Sequence, residues 1–206
     1  RIRTEAESFG AKVVMTSKKC RNGTERCAEA LKNINFNGDL IVNLQGDAPL
    51  TPEWFVEDLI EAFKKNPDTQ MATPVLRLDK DSLNSFRLDR KSGRVGGTTV
   101  VFDNNNNALY FSKEIIPFFD EKRSMQIEAC PIFHHVGVYA YRPEILSKYR
   151  KWKESNLEAL EGLEQLRFLE NSCAIKCVLV DSKGRTFWEL NNPEDVMKIE
   201  KAIQAI

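Results

Sequence analysis

The sequence has no excess charge of either sign, few cysteines and no long apolar run, and each absence argues against a class of protein. Thirty Lys and Arg balance thirty Asp and Glu, so no global field attracts nucleic acid or a membrane surface. The five cysteines form no CxxC pair, which disfavours a disulfide framework or a zinc site. No apolar stretch approaches the roughly 20 residues of a membrane span, and no signal-peptide pattern is present. We therefore predict a soluble, cytoplasmic protein with no nucleic-acid or membrane partner.

The sequence does contain an alternation of helical and strand patterns along its 206 residues. Continuous apolar runs predict buried strands, and the leucines of 156–171 recur at helical spacing and predict one helix there. Pro74, inside a strand pattern, indicates an edge or a bulge. The pattern predicts one α/β domain, a three-layer α/β/α sandwich with a mixed, mostly parallel sheet. The predicted strands cover residues 11–15, 39–44, 71–78, 98–103, 108–112, 134–142, 174–180 and 185–190.

A polar turn, Gln45-Gly46-Asp47, follows the apolar strand Leu40-Ile41-Val42-Asn43-Leu44. Ligands of open α/β sheets bind beyond the carboxyl ends of strands, and a carboxylate there suits a metal or nucleotide site. Asp47 could equally satisfy the turn or cap the helix that begins near Pro52, a common use of aspartate. The turn alone leaves both interpretations open.

Several motifs in register resemble one enzyme family. VNLQGDAPLTPEW, ALYFSKEIIP, HHVGVYAYRPEIL, LEALEGLEQLRFLENSCAIK and NNPEDV are similar in order and spacing to the 3-deoxy-manno-octulosonate cytidylyltransferases, and RNGTER resembles that family's SGT(D/E)R segment. The resemblance covers nearly the whole chain. It implies a fold of the nucleotide-diphospho-sugar transferase type and transfer of CMP from CTP to an acidic ulosonic sugar, 3-deoxy-D-manno-octulosonate (Kdo), for lipopolysaccharide biosynthesis. It also implies Mg²⁺ as cofactor and a homodimer.

The resemblance assigns the nucleotide side of the site. Asp47 matches the catalytic, metal-binding aspartate, and Mg²⁺ held there neutralises charge on the phosphates. Gln45 and Gly46 are expected to frame the nucleotide, together with Thr24 and Arg26. An alternative for the last two is an ordinary helix N-terminus with a surface arginine.

The acceptor side is assigned in the same way. Lys113 stands where the family commonly has arginine, so it keeps the charge but lacks the bidentate fork. Alternatives stay open here: a strand histidine is often a packed residue, Glu164 and Gln165 fit an exposed helix face, and Arg167 fits an ion pair worth under ~1 kcal/mol. The residues expected to bind the sugar are Lys113, His135, Tyr139, Glu164 and Gln165.

The chain departs from the family pattern at several points. Asn191 occupies the position of the second metal-binding aspartate, so the expected metal ligands are Asp47 and Asn191, with Glu189 as a substitute carboxylate. Ala48 replaces the glutamate of QGDEP and Thr99 replaces a usual lysine, which leaves the acceptor sugar open. The N-terminal PARxxSxR phosphate loop has no counterpart, so we expect an N-terminally incomplete chain.

Two alternative functions follow from these departures. One is a cytidylyltransferase for another acidic ulosonic sugar, and the other is a degenerate domain that binds a sugar or a partner without catalysis. A glycosyltransferase is disfavoured because no DxD motif follows the apolar strand. The sequence also lacks GxGxxG, P-loop and GxSxG motifs.

Overall fold

The computed structural model describes residues 1–95, 97–119, 129–185, 187–190, 193 and 195–204. Strands and helices alternate over most of this range, as the apolar periodicity predicts. The strands are β1 (Ile41–Leu44), β2 (Met71–Arg77), β3 (Thr98–Phe102), β4 (Ala108–Ser112), β5 (Phe133–His135), β6 (Val138–Tyr141) and β7 (Lys176–Val180). The helices are α1 (Ile2–Ser8), α2 (Gly23–Asn33), α3 (Glu53–Lys65), α4 (Lys80–Lys91), α5 (Pro143–Tyr149), α6 (Asn156–Glu161), α7 (Leu166–Glu170) and α8 (Asp195–Gln204).

The described strands form one mixed sheet in which antiparallel pairs predominate. β6 lies between β1 and β2 and is antiparallel to both, and β5 lies between β2 and β3 and is antiparallel to both. β3 and β4 form the predicted hairpin. Only β2 and β7 pair in parallel among the described strands. The α/β class is confirmed, but the prediction of a mostly parallel sheet is wrong, because the β5–β6 segment runs against its neighbours.

Helices pack on both faces of the sheet. Along β6, Val138 and Ala140 belong to an apolar core with α3, whereas Tyr139 and Tyr141 belong to a second core with α2, α5 and α7. Side chains of a strand alternate between its two faces, so these cores lie on opposite sides of the sheet. No helix in the described part of the chain is long and apolar enough to cross a membrane.

A break between β5 and β6 interrupts the centre of the sheet. Val138 N–H donates to Val136 C=O (2.7 Å), and Val136 N–H donates to Pro74 C=O (3.1 Å) on β2. The Thr73 hydroxyl donates toward the carbonyl oxygens of Val136 and Val138 (3.1 and 2.9 Å). The sequence predicted that Pro74 lies on an edge strand or at a bulge. β2 is an interior strand, so Pro74 lies at an irregularity of the sheet and not at its edge.

The predicted strand 134–142 is two strands, β5 and β6, and three other predicted elements also differ from the structure. Residues 11–15 and 185–190 form no strand among the described residues, and 156–171 is two helices because Gly162 ends α6 with a left-handed backbone (φ 64°). Helix α4 lies in a stretch, 79–97, that the sequence analysis did not assign. Its start is stabilised by Asp79, whose side chain accepts the Ser82 N–H (2.7 Å).

Candidate active site

A cleft of about 310 Å³ opens where four segments meet: the turn after β1, the end of β4, the β5–β6 break and the α6–α7 turn. It brings together seven of the predicted site residues, which come from positions more than a hundred residues apart. Gly137 and Glu189 line the same cleft. The predicted residues that line it are Gln45, Asp47, Lys113, His135, Tyr139, Glu164 and Gln165.

Glu164 is held in the cleft wall by two other predicted residues. Its carboxylate accepts the Thr24 backbone N–H (2.8 Å) and Gln45 Nε2–H (3.0 Å). Burial is the main influence on its pKa, which is raised above the ordinary value against the opposing effect of these hydrogen bonds. The fully buried Thr24 hydroxyl bonds Tyr141 OH (2.7 Å). Thr24 therefore orients Glu164 and does not itself line the cleft.

A buried ion network lies behind Glu164. Arg167 is 1% exposed, and its guanidinium donates to both Glu158 oxygens (2.6 and 2.5 Å) and to Glu25 (3.1 Å). It also lies 4.2 Å over the ring of Tyr149, whose hydroxyl donates to Glu164 C=O (3.2 Å). The exposed ion pair that the sequence suggested for Arg167 is therefore wrong. Glu164 is half-buried and Gln165 is buried, and both lie in a turn rather than on an exposed helix face.

Two buried polar atoms in the cleft have no hydrogen-bond partner among the described residues, His135 Nε2 and Gln165 Nε2. Tyr139 OH donates to the other end of the same amide, Gln165 Oε1 (3.2 Å). Native structures rarely leave buried polar groups unsatisfied, and an absent ligand is one explanation for such groups. This part of the cleft is therefore prepared for a ligand with its own hydrogen-bonding groups.

Lys113 extends over the α6–α7 turn. Glu161 fixes the end of β4 by accepting the Lys113 N–H (3.0 Å) and the Ser112 hydroxyl (2.7 Å). A Cβ on Gly162 would lie 2.9 Å from Lys113 Nζ, so glycine is needed there both for the left-handed backbone and for the space. No described carboxylate forms an ion pair with the Lys113 ammonium, which is available to an anionic ligand.

Two carboxylates line the opposite part of the cleft, Asp47 and Glu189. Leu190 N–H donates to Asp47 C=O (2.8 Å), which joins the two segments. No group of three His, Cys, Asp or Glu side chains is placed to hold a metal within the described ranges. Mg²⁺ nevertheless suits one or two carboxylates, because it keeps waters and takes phosphate oxygens from the substrate. The donor chemistry fits Mg²⁺, while Asn191 lies outside the described residues.

Besides Thr24, two more of the predicted nucleotide-side residues do not line the cleft. Arg26 donates to Thr16 Oγ1 (2.9 Å), and its other contacts are carbonyl oxygens of the same loop. Gly46 is exposed beside Asp47. Their roles toward a nucleotide stay predictions. Gly137 was missed, although a glycine inside a strand pattern is a recognised sign of a bulge or of a close approach.

Acidification is expected to destabilise the fold through the two histidines. Burial lowers the pKa of His134 to about 4 and that of His135 to about 3, from 6.5 in the unfolded chain. The unfolded chain therefore binds more protons below pH 6.5. This contribution to stability is complete above pH 6.5 and is lost as the pH falls toward 4 and 3, by about 1 kcal/mol per pH unit for each histidine. Urea titrations at pH 7, 6 and 5 measure the slope, and His134→Leu should reduce it; equal slopes in both proteins would contradict the prediction.

Comparison with known proteins relates this geometry to chemistry. The family model described as cytidylyltransferase matches residues 1–178. The 3-deoxy-manno-octulosonate cytidylyltransferase of Maricaulis maris is 40% identical over 205 residues, covering all of this chain and 78% of the relative. The 8-amino-3,8-dideoxy-manno-octulosonate cytidylyltransferase of Shewanella sp. (strain W3-18-1) is 37% identical over 207 aligned positions, with coverage of 100% and 78%.

Solved structures agree with this relationship. A CMP:2-keto-3-deoxy-manno-octonic acid synthetase complexed with CTP has a TM-score of 0.80 and 26% identity, and the match covers 99% of this chain and 77% of that one. A putative glucose-1-phosphate thymidylyltransferase from Bacillus anthracis shares the fold alone, with a TM-score of 0.58 and 10% identity. The fold and its neighbours thus define a nucleotidyltransferase enzyme. Within that class, the chain belongs to the cytidylyltransferase family.

Proposed function

We propose that this protein transfers CMP from CTP to Kdo, forming CMP-Kdo and pyrophosphate for lipopolysaccharide biosynthesis. The observation that carries the proposal is the cleft itself. Its lining includes Lys113, two residues with a buried polar atom that has no partner within the described part of the chain, and the carboxylates of Asp47 and Glu189. An acidic sugar needs a cation for its carboxylate and hydrogen-bonding groups for its hydroxyls. The similarity to enzymes named for this reaction supports the same substrate.

The reaction places simple demands on these residues. The anomeric hydroxyl of the sugar loses its proton to solvent, and its oxygen attacks the α-phosphorus of CTP. The bond from that phosphorus to the oxygen bridging the α- and β-phosphates breaks and releases pyrophosphate. Lys113 binds the sugar carboxylate, while His135 and Gln165 meet sugar hydroxyls and keep the acceptor oriented. Asp47 would hold Mg²⁺, which supplies positive charge at the phosphate oxygens. Because His135 is neutral at physiological pH, it can act as both donor and acceptor.

A second acceptor is the 8-amino analogue of Kdo. Glu164 lines the cleft apart from Asp47, the carboxylate proposed for Mg²⁺. An ammonium group on the acceptor would complement the Glu164 carboxylate. A relative named for this sugar is 37% identical to the chain.

Pyrophosphate release tests both acceptors. The protein is incubated with CTP, Mg²⁺ and either Kdo or its 8-amino analogue, as the 206-residue chain and as the product of the whole reading frame that encodes it. Turnover with Kdo supports the proposal, and preference for the analogue selects the second acceptor. If the protein from the whole reading frame is folded but releases no pyrophosphate with either sugar, the enzymatic proposal is overturned and a binding domain is favoured.

A homodimer in the cytoplasm is part of the proposal. Leu109 on β4 is 62% exposed, and an exposed apolar strand residue favours contact through the β3–β4 hairpin. All five cysteines are free thiols, which suits a reducing compartment. Light scattering coupled to gel filtration should give twice the mass of one chain; a monomer mass across the micromolar range would contradict the dimer.

Lys113→Gln should raise the KM for the sugar by about tenfold to a hundredfold and leave the KM for CTP within about twofold. The reason is that the variant loses the charge that faces the sugar carboxylate, an interaction of about 1.5–3 kcal/mol. Initial rates with each substrate varied in turn measure both constants. Lys153→Gln, on the exposed segment after α5, is the control. Equal increases in both constants would show that Lys113 does not select the acceptor.

A further inference from the structure

The carboxylate of Glu189, which the sequence offered only as a substitute for an aspartate at position 191, lines the cleft and is held there by a backbone hydrogen bond. We propose that Glu189 is the second protein ligand of the divalent cation and works together with Asp47. The inference rests on the proposed function only in the identity of that cation, Mg²⁺. It gives the site the second negative charge that the neutral Asn191 cannot contribute.

The backbone around Glu189 is anchored on both sides. On one side, Leu190 N–H donates to the carbonyl oxygen of Asp47 (2.8 Å), which ties the segment to the turn that carries the first carboxylate. On the other side, Trp188 Nε1–H donates to Asp195 Oδ1 (2.7 Å) at the start of α8. Residues 187–190 form no helix or strand, so these two hydrogen bonds, not a regular element, fix the position of the segment. They hold Glu189 next to the Asp47 turn.

The β5–β6 break receives the Glu189 side chain. Gly137 N–H donates to Glu189 Oε1 (3.0 Å), and a Cβ on residue 137 would lie 2.9 Å from that same oxygen. Any side chain at 137 would therefore displace the carboxylate, and glycine is required for the approach. A backbone amide that bonds one carboxylate oxygen orients the group, as supporting hydrogen bonds commonly orient metal-binding carboxylates.

Other atoms of the cleft indicate that a ligand belongs here. His135 Nε2 and Gln165 Nε2 lack partners among the described residues although the side chains are only 4% and 1% exposed, and both residues line the cleft with Glu189. Lys113 is the one described cation in that lining. Two oxygen-donor carboxylates from segments joined by the Leu190–Asp47 hydrogen bond match a hard divalent cation, which completes its shell with waters and phosphate oxygens.

Manganese binding tests the assignment without any turnover. Free Mn²⁺ is titrated into the protein alone and followed by electron paramagnetic resonance, which reports unbound metal. Glu189→Gln is the informative variant because its amide oxygen can still accept the Gly137 N–H while the charge is lost. Asp81→Asn is the control. Asp81 lines a neighbouring cleft that also contains Glu189, so this substitution removes one negative charge nearby but outside the proposed site.

We expect Glu189→Gln to raise the Kd for Mn²⁺ at least about tenfold, as Asp47→Asn should, and Asp81→Asn to change it less than about twofold. Circular dichroism melting should show that each variant is folded. An unchanged Kd in Glu189→Gln, or no binding by the unaltered protein, would overturn the inference. The result separates from the proposed function: turnover with an unchanged Kd refutes the ligand alone, and weakened Mn²⁺ binding without turnover refutes the acceptor alone.

Discussion

Asp47→Asn should lower the rate of CMP transfer by about a thousandfold while changing the free energy of unfolding by less than about 1 kcal/mol. Asp47 is exposed in the cleft, and it is the backbone carbonyl, not the side chain, that accepts the Leu190 N–H. Asparagine therefore fits the same space and keeps that bond. The variant loses the charge that holds the cation, and removing such electrostatic stabilisation costs about 10²–10³ in rate even for a single neutral donor.

Pyrophosphate release at saturating CTP and sugar, together with urea denaturation, measures both parts of this result. Asp58→Asn, an exposed change on α3, is the matched control and should retain full activity. A variant rate within tenfold of the original would remove Asp47 from the metal site. A large loss of stability would instead assign the residue to the turn, the alternative that the sequence left open.

Arg167→Met should lower the free energy of unfolding by about 3–5 kcal/mol, the cost of removing one partner from a buried ion pair. The change leaves Glu158, which is 6% exposed, without its cation, whereas Glu25 keeps Arg21 as a partner. Methionine fills much of the volume, so the loss arises from uncompensated charge more than from a cavity. The stacking over Tyr149 is lost as well.

Urea denaturation at pH 7 measures this loss, with Arg3→Met as the control because the Arg3–Glu7 pair is exposed and such pairs contribute under about 1 kcal/mol. Adding Glu158→Gln to Arg167→Met should destabilise less than the two single changes summed, by about 1 kcal/mol or more. Strict additivity of the two changes would mean that the pair does not act as a unit.

Much of the site could be predicted from sequence because its residues lie at element ends. The turn after β1 was recognised from an apolar run followed by polar residues, whereas His135, Lys113 and Glu164 were assigned by the family resemblance. The structure brings them all into one cleft. Local patterns of this kind predict structure well because residues close in sequence determine where a strand ends and a turn begins.

Other features depend on contacts between distant residues, which sequence spacing does not reveal. Arg167 is buried because Glu25 lies 142 residues away in sequence and meets it in space, whereas a helical charge pattern alone indicates a solvated face. The leucine spacing of 156–171 continues through Gly162, and only the backbone conformation there ends the helix. Strand direction was predicted wrongly because an apolar run carries no information on the orientation of its neighbours.

The irregular centre of the sheet gives the cleft a donor that side-chain substitution cannot remove. In an extended strand, the N–H and C=O of one residue point toward the same neighbouring strand. The C=O of Pro74 accepts the Val136 N–H, so an N–H at position 74 would point toward the same break. Because proline has no N–H, no backbone donor is left unsatisfied at position 74. The Gly137 N–H donates to Glu189. Any residue except proline at position 137 keeps this main-chain N–H, and its direction depends on the path of the backbone through the β5–β6 break.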